Sequence, residues 1–172
     1  MKIRLIKIKN LKNCSIKEIS EWVSWLNDKI VTKFSEQRFQ KHTSSTQKKF
    51  IKNKIKTKKT LLFKIYYKKE FVGVIELGNI DHTHFNCEIM YFIGKREYWS
   101  KGIATKAIKL SIIEAKKIKI KKVYAGVYSN NLSSIRVLIK NKFKIEGKLS
   151  NFFTFKRNLR VKKIILGLSL KN

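Results

Sequence analysis

The chain has 172 residues, a net charge of +30 and no proline, and it is expected to form one domain (residues 1–172) large enough to bury a core. No run reaches the roughly 18 uninterrupted apolar residues of a membrane span, and Cys14 and Cys87 are too few for a disulfide framework, which reads as reduced thiols and a cytoplasmic location. Lys outnumbers Arg 35 to 6 and is spread along the whole chain beside abundant Ile and Asn, a pattern that A/T-rich codon usage explains better than a nucleic-acid partner, for which Arg is preferred.

Residues 2–9 alternate like a strand and lack an apolar signal-peptide core. Ile16–Leu26 has helical spacing, with Ile19, Trp22, Val23 and Leu26 on one face and Trp22 and Trp25 read as packing residues. Lys29–Thr43 has no clear period and reads as a loop with one short turn. Ser44 or Ser45 is expected to cap a lysine-rich helix to about Lys56, packed through Phe50, Ile51 and Ile55. Leu61–Tyr67 and Phe71–Leu77 flank Lys68-Lys69-Glu70 as a hairpin, and Cys87–Ile93 adds a third strand. A helix over Lys101–Lys119, a strand over Lys122–Tyr128 and a helix over Asn131–Asn141 follow. Phe143–Leu149 and Arg160–Leu170 make a final strand pair. The order predicts an α/β (α+β mixed sheet) fold: an antiparallel meander, then β-α-β-α-β, with helices on both faces.

The stretch Tyr98-Trp99-Ser100-Lys101-Gly102-Ile103-Ala104-Thr105 joins the apolar run ending at Gly94 to a helix. At a helix start the backbone N–H groups lack partners and the dipole favours an anion. Gly102 and Ala104 leave room for one, and Lys101 and Lys106 add positive charge. About 30 residues on, a second strand-turn-helix unit carries Asn131, Ser134, Lys140, Phe143, Glu146 and Gly147.

These two motifs resemble the GNAT superfamily of N-acetyltransferases. Trp99-x-x-Gly102-x-Ala104 matches the last two fixed positions of that family's phosphate loop. Ile93 to Thr105 follows the wording of the subgroup related to ribosomal-protein N-terminal and amino-sugar acetyltransferases, with Ser100 in place of a glycine. Lys142 likewise replaces the usual glycine of the second motif.

The resemblance implies acetyl-CoA as acetyl donor. His82 and His84 have the spacing of a metal pair, but no third ligand suggests itself, so no metal is expected. It places the pantetheine arm against the backbone of Phe92, Ile93 and Gly94. The pyrophosphate falls on Trp99, Ser100, Lys101, Gly102, Ile103, Ala104 and Thr105. Asn131 and Ser134 lie in the second cofactor motif, although Asn131 also suits a helix cap. Glu88 is the expected general base, because an ammonium must lose a proton before it can attack. An ion pair with a lysine is the competing role for Glu88, and His82 and His84 are the alternative bases. Leu138 stands where many relatives carry a proton-donating tyrosine, which leaves Tyr124, Tyr128 or water to serve.

Trp25–Asp28 and Glu36–Thr43 resemble the acceptor side of enzymes of surface-polysaccharide synthesis. That implies a nucleotide-linked amino sugar as substrate, with Arg38 and His42 in contact with it and the Arg38 fork suited to a diphosphate. Arg38 could instead pair with Glu36 or Asp28. A protein N-terminus is the competing acceptor, and a non-enzymatic nucleic-acid-binding module the competing class. The chain is expected to act as a monomer or homodimer.

Overall fold

The computed structural model describes residues 2–157 and 159–171. Its strands are β1 (Ile3–Lys7), β2 (Leu61–Tyr67), β3 (Glu70–Asp81), β4 (Asn86–Ile93), β5 (Lys122–Tyr128), β6 (Lys144–Lys156) and β7 (Leu159–Ser169). The helices are α1 (Ile16–Asn27), α2 (Ser44–Lys56), α3 (Ile103–Lys117) and α4 (Leu132–Lys140). They surround one seven-stranded sheet of order β1-β2-β3-β4-β5-β7-β6. Every neighbouring pair is antiparallel except β4 and β5, which run parallel across the α3 crossover. Among the described residues no helix is long and apolar enough to cross a membrane.

The alternation of strand side chains divides the core into two layers. Leu62, Phe71 and Val74 pack under α1 and α2 with Trp22, Trp25 and Ile51. Phe63, Ile65, Val72, Ile75 and Leu77 pack under α3 and α4 with Ile103, Ile108 and Leu138. Two ion pairs of 2.6 Å pin the first layer: buried Lys64 of β2 meets Glu18 of α1, and Lys54 of α2 meets buried Glu76 of β3.

The local sequence explains most element ends. Ser15 and Glu18 form a reciprocal capping box at the start of α1. At α2 the cap is Thr43 and not Ser44 or Ser45. Thr43 is extended (φ −130°), and its hydroxyl accepts from the Thr46 N–H at 3.2 Å while Ser44 is already helical. Helices α3 and α4 both end in Schellman motifs. Ile120 N–H reaches Ala115 O and Phe143 N–H reaches Leu138 O, with Lys119 (φ 62°) and Lys142 (φ 69°) as the left-handed residues. Strands β3 and β6 run further than their apolar runs suggest, because pairing with β4 and β7 carries them on.

Candidate active site

Strands β4 and β5 touch over three residue pairs, Asn86 with Lys122, Cys87 with Val123 and Glu88 with Tyr124, and then part. Beyond Glu88, β4 keeps its bonds to β3 alone, and β5 pairs only with β7. A wedge therefore opens beyond Glu88 and Tyr124. Gly94 N–H donates to Val72 O at 2.9 Å. Ladder alternation then turns the backbone of Phe92 toward β3, and that of Ile93, Tyr91 and Ile89 toward the wedge. Of the three strand-end residues expected to meet a pantetheine arm, Ile93 is thus the one whose peptide groups face the opening. The Phe92 ring packs edge-on against Trp25, 6.3 Å between centroids. Gly94 has a different constraint, since a Cβ there would lie 1.9 Å from the Trp25 ring.

The loop after β4 is anchored from below. Glu70 accepts from Lys95 at 2.6 Å and from Tyr98 at 2.9 Å. Trp99 folds back so that its indole N–H donates to Ile93 O at 2.8 Å. Ser100 (φ 59°) and Gly102 (φ 71°) both take left-handed conformations that turn the chain into α3. Ser100 replaces a glycine of the motif at a position where glycine would be unstrained. No side chain caps α3, so its first N–H groups, with the partial positive charge of the helix end, stay available to an anion beside exposed Lys101. Ile103 is buried in the core, while Ala104 and Thr105 are half-buried.

On the neighbouring turn, Asn131 Oδ1 caps α4 by accepting from Ser134 N–H at 3.2 Å. Ser134 also shares a 2.8 Å hydroxyl–hydroxyl bond with Tyr91. Burial pushes the Tyr91 phenol up to about 12, the serine bond opposing the rise, so it stays protonated. Leu138 is fully buried beneath α4; it serves the core and has no proton to give.

Glu88 lies on the opposite sheet face, in the same alternation as Met90 and Phe92. Its carboxylate accepts from Asn79 Nδ2 at 2.9 Å and is in none of the ion pairs among the described residues. Asn79 sits at a left-handed bulge (φ 48°) where the β3–β4 register shifts. The Gly78-Asn79 pair within an apolar run is the sequence sign that could have marked it. Tyr124 stands opposite Glu88, and burial, then the Glu88 charge, raises its phenol above the ordinary value. His82 and His84 are exposed in the β3–β4 turn, between the paired residues Asp81 and Asn86.

The loop before α2 reaches over the ends of β5 and β6. Arg38 does not present a free fork. It donates to Lys33 O, to Thr154 O at 2.5 Å and to Tyr128 Oη at 3.4 Å, and its guanidinium lies 4.6 Å from the Phe39 ring centroid. Neither Glu36 nor Asp28 is its ion-pair partner; Glu36 accepts from Tyr128 instead. His42 is buried. Its Nε2 meets Gln37 O at 2.9 Å and its backbone is clasped by the Asn27 amide. Both residues hold the loop in shape: the Arg38 fork ties Lys33, Thr154 and Tyr128 together, and His42 is enclosed by Gln37 and Asn27. Tyr128 stacks on Phe153 at 3.9 Å, and burial, then Glu36, holds its phenol above the ordinary range. Beside them lies an open cleft of about 610 Å³ lined by Glu36, Phe39, Phe152, Phe153 and Thr154. A second depression, about 500 Å³ with Lys116, Lys119, Lys121 and Lys171 on its wall, lies where α3 ends.

No curated protein matches the sequence. Among solved structures, the chain is similar to the microcin C7 self-immunity acetyltransferase MccE in complex with acetyl-CoA and AMP (22% identity, 98% of this chain and 92% of that one, TM-score 0.79). It is similar to the Vibrio cholerae spermidine N-acetyltransferase in complex with CoA and spermine (16%, 97% and 95%, TM-score 0.83). A third is RimL, a ribosomal alpha-N-protein acetyltransferase in complex with CoA (13%, 98% and 94%, TM-score 0.83). At these identities the likeness is one of fold. The model of the acetyltransferase (GNAT) domain matches residues 10–144, which include the wedge, the uncapped start of α3 and the capped start of α4. On that match, the chain belongs to the GNAT acetyltransferase family.

Proposed function

We propose that this acetyltransferase moves an acetyl group from acetyl-CoA to the primary amine of a nucleotide-linked amino sugar. The donor's chemistry is a thioester whose thiolate leaves readily. The residues present suit it: the Ile93 N–H, whose own carbonyl is taken by the Trp99 indole, and the Tyr91 peptide groups turn into the wedge, Gly102 leaves its side-chain space open, and the start of α3 offers free N–H groups to a diphosphate. On the other face Glu88 accepts the amine's proton, held in place by Asn79. With Leu138 in the core, Tyr124 is the phenol beside Glu88 that can return a proton to the leaving sulfur.

The observation that carries the acceptor assignment is the cleft of about 610 Å³. Phe39 and Phe152 on its wall keep exposed ring surface, and aromatic faces stack nucleobases, at about 1–3 kcal/mol per base. The net charge of +30 draws a diphosphate and repels a polyamine. A nucleotide, AMP, accompanies acetyl-CoA in the microcin-immunity structure. The test offers acetyl-CoA with amino-sugar nucleotides, N-terminal peptides and spermidine, following thiol release. Acetylation of a sugar nucleotide supports the reading; turnover confined to peptides or to spermidine refutes it. Gly102→Val should abolish acetyl-CoA binding in a titration without unfolding the chain.

A further inference from the structure

Gly126 is flanked on β5 by Tyr124 and Tyr128, all three on the face that carries Glu88. The space its missing side chain leaves is filled by a lysine: a Cβ there would meet Lys163 Cε at 2.2 Å and Nζ at 3.1 Å. Lys163 comes from β7, paired with Tyr128 on one side and Leu149 on the other. Its stem crosses Gly126, and its ammonium comes to rest 4.7 Å from the Phe152 ring centroid and 6.0 Å from that of Phe153. Those two rings also line the cleft. Among the described residues no carboxylate pairs with Lys163.

From this placement we infer that Lys163 is an anion-binding subsite of the acceptor groove, reading a phosphate that is carried by the same molecule as the reacting amine. This rests on the acceptor reading above and sharpens it. Two π faces hold the ammonium in position but leave its N–H donors without an acceptor, so a phosphate oxygen can supply one. Gly126 lies two residues along β5 from Tyr124, the neighbour of Glu88, a step of about 7 Å. That is close to the span across one hexose ring, the separation between an amine on C4 and the anomeric phosphate of a sugar nucleotide. A peptide N-terminus carries a neutral amide beside its amine, and a polyamine carries further cations; neither suits a lysine there. Gly126 is required for the arrangement because any side chain would displace Lys163.

Inorganic pyrophosphate is the probe. It is titrated into the protein at physiological ionic strength with acetyl-CoA already saturating, so the start of α3 is occupied. Wild type should bind it. Lys163→Met, which keeps the aliphatic stem over Gly126, should weaken binding at least about tenfold, equivalent to about 1.4 kcal/mol. Lys163→Arg should restore it, and Lys119→Met, at the far depression, should leave it unchanged. Undetectable binding by wild type, or equal binding by wild type and Lys163→Met, overturns the subsite. If sugar nucleotides are acetylated with the same KM by Lys163→Met and wild type, the subsite falls and the acceptor reading stands. Lys163-dependent pyrophosphate binding without sugar turnover supports the subsite and refutes the acceptor reading.

Discussion

Gly94→Ala tests whether this glycine serves cofactor contact or packing. The added Cβ would lie 1.9 Å from Trp25 Cδ2 and 2.2 Å from Cε3, where ordinary carbon contacts are about 3.5–4 Å. The ring would have to retreat by more than an ångström. Trp25 is 7% exposed and its ring sits 4.8 Å from that of Phe71, so there is little space for it to move into. Overpacking of this kind costs about 1–3 kcal/mol, which for a domain of this size lowers Tm by about 2–12 °C. The assay is a double-mutant cycle by thermal denaturation with Trp25→Phe, whose smaller ring relieves the clash. The double variant should lose at least about 1 kcal/mol less than the sum of the singles. Additive losses, or a Gly94→Ala protein of unchanged Tm that binds acetyl-CoA poorly, would refute the packing account and return Gly94 to the cofactor.

Glu88→Gln should lower turnover about 100-fold or more while the acetyl-CoA Kd stays within about twofold, since the residue lies on the acceptor face and its amide can still accept from Asn79; wild-type turnover across the pH range removes it as the base. Arg38→Ala should lower Tm by roughly 2–10 °C through lost bonds to Lys33, Thr154 and Tyr128, with the acceptor KM rising no more than that of a comparably destabilised loop variant; a selective rise in acceptor KM at unchanged Tm would restore the fork as a substrate ligand. Lys142→Gly should stabilise by up to about 1 kcal/mol, because it relieves a left-handed backbone at φ 69° that costs about 1–2 kcal/mol for a non-glycine residue, partly offset by a more flexible unfolded chain. Lys119→Gly should behave alike, and a fall in Tm for both would overturn the assignment of these positions.

The sequence by itself determined the element order, the boundaries of β2 and β5 to the residue, and the strand-turn-helix that leaves the start of α3 uncapped. Those features rest on local rules: side-chain period, capping chemistry and the need for small residues where a chain turns into a helix. Even the departures at Ser100 and Lys142 were visible, although their cost follows only from the positive φ the fold imposes there. Tertiary structure alone decided what each site residue faces. Whether Phe92 or Ile93 turns its peptide groups into the wedge depends on the β3–β4 register, which a one-residue slip would invert. Glu88 found Asn79 and not a lysine because a bulge nine residues earlier aims that amide at it. Arg38, ninety residues from Tyr128 in sequence, is held by bonds that exist only once its loop lies across the ends of β5 and β6. Lys163 reaches the face that carries Glu88 only because β7 lies beside β5 and Gly126 leaves its path open. Periodicity assigns a residue to a face of its own element; which groups share that face across the sheet is fixed by pairing between segments far apart in the chain.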